Sequence, residues 1–240
     1  MSREPLVFIP PLLADARVFA HQIQDLSRDH AVMVAAPTLG ERIEEIASEM
    51  LHQTPAKFAL IGMGLGGMVA MELLRRAPDR ITRLAFIGTT AQADTPDVAA
   101  SREPHIIAAK AGRWDDVLAH EINSTWMAPE ADKVGLVRLL NDMGRDMGRD
   151  VYVRQARALQ RRKDQQATLS KITQPTVVIC GRHDGQFRLK RHEFLAELIP
   201  GAKLEIIETA GYLPSIEAPE ATTEVLRRWL KLPMLLRPTA

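Results

Sequence analysis

The chain has 240 residues and 46% hydrophobic content, so it is one large domain or two small ones and buries enough surface to need no disulfide or metal staple. Its 31 Lys and Arg against 30 Asp and Glu leave a net charge of +1, which gives no long-range field to draw in nucleic acid or an anionic membrane. A single cysteine, Cys180, excludes an internal disulfide and fits a reducing compartment.

The start, Met1 to Pro11, has an apolar run without a cationic leader or a small-residue cleavage site, and no stretch reaches 18 uninterrupted apolar residues. A soluble, cytoplasmic protein is expected, with no nucleic-acid or membrane partner. Along the chain, apolar runs at Leu6 to Pro10, Ala31 to Pro37, Phe58 to Ile61, Leu84 to Ile87, Thr176 to Cys180 and Leu204 to Ile207 read as strands buried on both faces. Helical periodicity fills the gaps at Val18 to Leu26, Ile43 to Leu51, Val69 to Leu74, Leu189 to Leu198 and Thr222 to Leu230. Strand and helix in alternation predict an α/β fold: a mostly parallel sheet flanked by helices.

One interval breaks this rhythm. Residues 94–169 show helical patterning only, as at Ile106, Ile107 and Trp114 to Trp126, and predict a helical cap inserted into a core made of 1–93 and 170–240. Such an insertion is expected over the carboxyl edge of the sheet, where open α/β sheets bind ligands. Within it Asp142, Asp146 and Asp150 recur every four residues, which places them on one solvated helix face. Arg161, Arg162 and Lys163 read as a basic helix end complementing the helix dipole.

The most informative stretch runs from Phe58 to Leu73, a buried strand leading into Gly62, Gly64, Gly66 and Gly67 and then a helix. Glycines two before and two after position 64 are what a nucleophile elbow needs, because its sharp turn crowds neighbouring backbone. The serine that stands at the centre of G-x-S-x-G is here Gly64.

Together with Phe8 to Asp15 after the first strand, Cys180 to Asp184 after a late strand and Thr209 to Glu220 near the end, this elbow resembles the α/β-hydrolase fold family. The nearest branch is that of small capped esterases, carbon-carbon bond hydrolases and proline iminopeptidase-like enzymes. The resemblance implies a catalytic acid at Asp184 and a histidine at the position of Tyr212. It also implies an oxyanion site from the backbone N–H groups of Leu65 and Leu12, while Pro11 cannot donate. Met63, Thr89 and Trp126 are expected at the ligand pocket, with Thr90, Trp114 and Met127 as further candidates.

Glycine has no nucleophilic atom, and a phenol is a poor base at neutral pH. The expectation is therefore a hydrolase-fold protein without serine hydrolysis, whether by natural divergence or by deliberate alteration, that binds a small acyl or carbonyl ligand. The alternative is a non-covalent lyase or carbonyl-addition enzyme using Tyr212 with Asp184. A hydrogen bond between Tyr212 and Asp184 is expected, with the phenol filling the space beside Gly64. His183 reads first as a surface loop histidine and is the one histidine placed to serve as a relocated base; His192 and the others read as scattered helix residues. No metal or other cofactor is expected, and the chain is taken as a monomer or homodimer. Cys180 reads as a buried structural thiol.

Overall fold

The computed structural model describes residues 4–233. Six strands, β1 (Leu6–Ile9), β2 (Val32–Val34), β3 (Phe58–Met63), β4 (Ile81–Ile87), β5 (Thr176–Gly181) and β6 (Lys203–Ile207), form one sheet in the order β2-β1-β3-β4-β5-β6. Every neighbouring pair is parallel. The expected α/β architecture is what the chain adopts. Strands β1, β3 and β5 are buried along their whole length. The edge strands β2 and β6 are mostly half-buried, because each lacks a neighbour on one side.

The helices are α1 (Ala20–Leu26), α2 (Ile43–Gln53), α3 (Leu65–Arg76), α4 (Pro96–Ser101), α5 (Glu103–Lys110), α6 (Trp114–Glu121), α7 (Lys133–Met147), α8 (Arg149–Gln160), α9 (Gln166–Leu169), α10 (Leu189–Leu198), α11 (Pro214–Glu217) and α12 (Pro219–Leu230). One apolar core lies on the α2 and α3 side of the sheet, with Val7, Leu60, Phe86 and Val178 facing it. The other gathers Phe8, Ile61, Ile87 and Ile179 against α1 and α12. Alternate residues of each strand thus serve opposite cores, as the period-two side-chain alternation requires. A third, smaller cluster ties Leu13 to α5, α6 and α8. Among the described residues no helix is long and apolar enough to cross a membrane.

Helices α4 to α9 all lie between β4 and β5 in the chain. Two details depart from expectation. The Asp142 to Asp150 repeat does not run along one helix: Gly148, at φ +81°, ends α7, and Asp150 belongs to α8. Arg162 is not a solvated helix end either. It is buried, donating to the carbonyl of Gln92 at 3.2 Å and to Asp94 at 2.9 Å, and only Arg161 and Lys163 reach outward to Glu41 and Glu44.

Candidate active site

Strand β3 ends at Met63, Gly64 turns the chain and α3 begins at Leu65. Gly64 has φ 53° and ψ −119°, a left-handed conformation that glycine enters without the usual side-chain penalty. The turn is fixed by its own backbone: the N–H of Gly64 donates to the Ile87 carbonyl at 3.0 Å, and its carbonyl accepts from Thr89 Oγ1 at 2.8 Å. Close approach explains a second glycine, since a β-carbon on Gly66 would stand 2.0 Å from the Ile9 carbonyl oxygen.

A β-carbon on Gly64 would meet the Tyr212 hydroxyl at 2.4 Å and Pro11 Cβ at 2.9 Å. The phenol therefore fills the space beside the elbow, as its length suggested. The Tyr212 ring lies edge-on to Trp126, with centroids 6.0 Å apart, and 5.9 Å from the Phe187 ring. Its hydroxyl makes no hydrogen bond among the described residues. Burial, reinforced by Asp184 and Glu121, pushes its pKa well above the ordinary tyrosine value, so the phenol stays protonated.

The expected Tyr212 to Asp184 hydrogen bond is not formed. Asp184 Oδ1 instead accepts from the backbone N–H groups of Gln186 at 2.8 Å and Phe187 at 2.7 Å, closing its own loop. Its Oδ2 is buried without a hydrogen-bond partner and faces His192 Nε2 at 3.6 Å. Both side chains are fully enclosed. Desolvation pushes the Asp184 carboxyl up to about 7 and the His192 imidazole down to about 4. His192 is the residue that sequence reasoning missed, while His183 is exposed and does not face the cavity.

A cavity of about 580 Å³ opens above the elbow. Pro11, Leu12, Leu65 and Tyr212 line it from the sheet edge, and Trp126 and Met127 line it from the inserted helices. The N–H groups of Leu12 and Leu65 have no acceptor among the described residues, and both residues line the cavity. Three other pocket candidates are elsewhere. Met63 is enclosed and its sulfur accepts from Ser215 Oγ at 3.5 Å; Thr89 is enclosed behind Gly64; Trp114 packs on Tyr152. Thr90 is buried and does not line the cavity either. Cys180 is enclosed, its thiol pushed up to about 12 by burial, as a structural cysteine should be. Among the described residues no group of three or more His, Cys, Asp or Glu side chains is placed to hold a metal ion.

Two polar side chains hold this geometry. Leu13 has φ 57°, the one non-glycine residue with positive φ among those described, and its N–H donates to Gln155 Oε1 at 3.1 Å. A left-handed leucine costs about 1 to 2 kcal/mol, so Gln155 of α8 fastens a strained turn beside Leu12. Glu217 of α11 accepts from the N–H groups of Gly211 and Leu213 at 2.8 Å each and from Ala128 at 2.7 Å, bracketing Tyr212 and tying it to the inserted segment. Glu217→Ala leaves three donors unpaired and is expected to cost about 2 kcal/mol. The urea unfolding midpoint measures it, and an unchanged midpoint would show that the clamp is dispensable.

Residues 6–225 match the profile of the Alpha/beta hydrolase family. A pimeloyl-[acyl-carrier protein] methyl ester esterase of Aromatoleum aromaticum is 29% identical over 196 residues, 77% of this chain and 78% of its own length. Among solved structures, a thermophilic esterase from Thermogutta terrifontis superposes with a TM-score of 0.86 at 21% identity, covering 95% of this chain and 89% of that one. The enol-lactonase from Burkholderia xenovorans gives 0.83 at 22%, covering 95% and 92%. At such identities the two structural likenesses speak for the fold.

Proposed function

This chain belongs to the alpha/beta hydrolase family, and on that premise we propose that it binds a small acyl or carbonyl compound without serine-type hydrolysis. The observation that carries the reading is the Tyr212 hydroxyl 2.4 Å from where a β-carbon on Gly64 would lie. Position 64 offers no nucleophilic atom, and the phenol beside it is held protonated, unfit as a base at neutral pH. The Asp184 carboxylate is spent on backbone N–H groups and faces His192, so it does not orient a base at position 212. The cavity and its two free backbone donors remain suited to a carbonyl oxygen. The ester-hydrolysing relative supports an acyl compound as the ligand class.

The test is hydrolysis of p-nitrophenyl butyrate. The chain as it stands is expected to stay at the residual rate of an oxyanion site, while the Gly64→Ser, Tyr212→His double variant rises at least tenfold above it. Turnover on the order of 1 s⁻¹ without those substitutions would overturn the reading. A second reading, Tyr212 as proton donor in a non-covalent carbonyl reaction, is favoured by its unpartnered phenol on the same cavity wall as Leu12 and Leu65. It requires a carbonyl substrate whose turnover Tyr212→Phe abolishes while binding persists.

A further inference from the structure

The same cavity has a charged wall that the elbow does not use. Asp94 receives two guanidinium groups: Arg102 donates Nε and Nη2 to Oδ2 at 3.3 and 3.2 Å, and Arg162 donates Nη1 to Oδ2 at 2.9 Å while its Nη2 lies 2.8 Å from Oδ1. Arg162 is almost wholly enclosed, with 5% of its side chain exposed. A third guanidinium, Arg191 in the first turn of α10, lines the cavity and makes no ion pair or side-chain hydrogen bond among the described residues. It lies close enough to Arg162 for their charges to repel.

The acidic groups on the wall do not balance this set. Glu121 is engaged by the Tyr152 hydroxyl at 2.7 Å, and Asp164 is exposed and turned to the N–H and side-chain amide of Gln166. Among these arginines only Arg102 and Arg162 reach Asp94, so Arg191 stands at the cavity wall with no carboxylate of its own. A planar guanidinium without a partner is matched by a ligand carboxylate, which it binds through two parallel N–H donors. Resting on the small-molecule reading above, we infer that the ligand is a carboxylate-bearing acyl or carbonyl compound whose carboxylate pairs with Arg191. Its carbonyl is left to the Leu12, Leu65 and Tyr212 donors, and its carbon chain to the apolar wall of Met68, Trp126 and Met127.

Isothermal titration with monomethyl adipate and dimethyl adipate tests this, since the pair differs by one methyl group and one charge. The monoester is expected to bind at least tenfold tighter, with the preference falling in 0.5 M salt as screening requires. Arg191→Leu, a change at an exposed position, should bring the ratio of the two affinities to about one, and Arg191→Lys should restore part of it. Equal affinities in the unaltered protein, or a ratio untouched by Arg191→Leu, overturn the carboxylate assignment while leaving a small-molecule site in place. Binding of neither compound at millimolar concentration overturns that site together with this inference.

Discussion

Gly64→Ala is expected to lower stability by about 3 kcal/mol, and Tyr212→Phe is expected to recover about 1 kcal/mol of that loss. Two costs add. A non-glycine residue at φ 53° pays about 1 to 2 kcal/mol for its left-handed backbone. The new β-carbon would also press on the Tyr212 hydroxyl at 2.4 Å and on Pro11 Cβ at 2.9 Å, and overpacking of a fixed site costs about 1 to 3 kcal/mol. The phenol cannot simply swing aside, because Trp126 and Phe187 flank its ring. Removing its oxygen leaves the ring carbon Cζ as the next contact at 3.5 Å, an ordinary van der Waals distance. The backbone cost and the Pro11 contact persist, so the rescue is partial. Urea unfolding of the four proteins in this double-mutant cycle gives the coupling directly. Simple additivity would mean that the phenol does not occupy the elbow space. By the same sterics Gly64→Ser alone is expected to gain little activity, because its hydroxymethyl group needs the shorter histidine ring at position 212.

The sheet was legible because its strands are continuous apolar runs with turn residues after them, a pattern that burial on both faces imposes. The elbow was legible for a different reason, since crowded backbone admits only glycine, whatever side chain sits at the centre. The Tyr212 to Asp184 contact failed on a local competition. Asp184 is followed by Gly185, Gln186 and Phe187, and a short carboxylate captures nearby backbone N–H groups before it reaches a distant phenol. His192 carried a signal too: it stands three residues before the enclosed Leu195, on the buried face of α10. What no local pattern contained is the loop that folds Asp184 back over that helix. The Asp142 to Asp150 repeat misled because Gly144 stays within α7 whereas Gly148 ends it, though each is followed by the same Arg-Asp pair. Arg162 misled because its partners, Gln92 and Asp94, are about 70 residues away in the chain.

His192→Leu and Asp184→Asn are expected to tilt the pH dependence of stability in opposite directions, and the unaltered protein is expected to show little net slope from the pair. Burial raises the folded Asp184 carboxyl to about 7 from an ordinary 3.8, so between those values the folded state holds a proton that the unfolded state has released. That contribution is complete below pH 3.8 and is lost as pH rises through 7. Burial lowers the folded His192 to about 4 from 6.5, so between those values the unfolded state holds the extra proton. That contribution is complete above pH 6.5 and is lost as pH falls. From pH 4 to 6.5 the two slopes oppose each other and nearly cancel, the carboxyl holding its proton while the imidazole 3.6 Å away stays neutral. Removing the imidazole exposes the carboxyl slope: His192→Leu should lose about 3 kcal/mol relative to the unaltered protein between pH 4 and 6.5. Asp184→Asn exposes the imidazole slope and should gain a similar amount over the same range. Urea midpoints at pH 4.5, 5.5 and 6.5 measure both. Slopes of the same sign in the two variants would mean that burial does not shift the two groups in opposite directions.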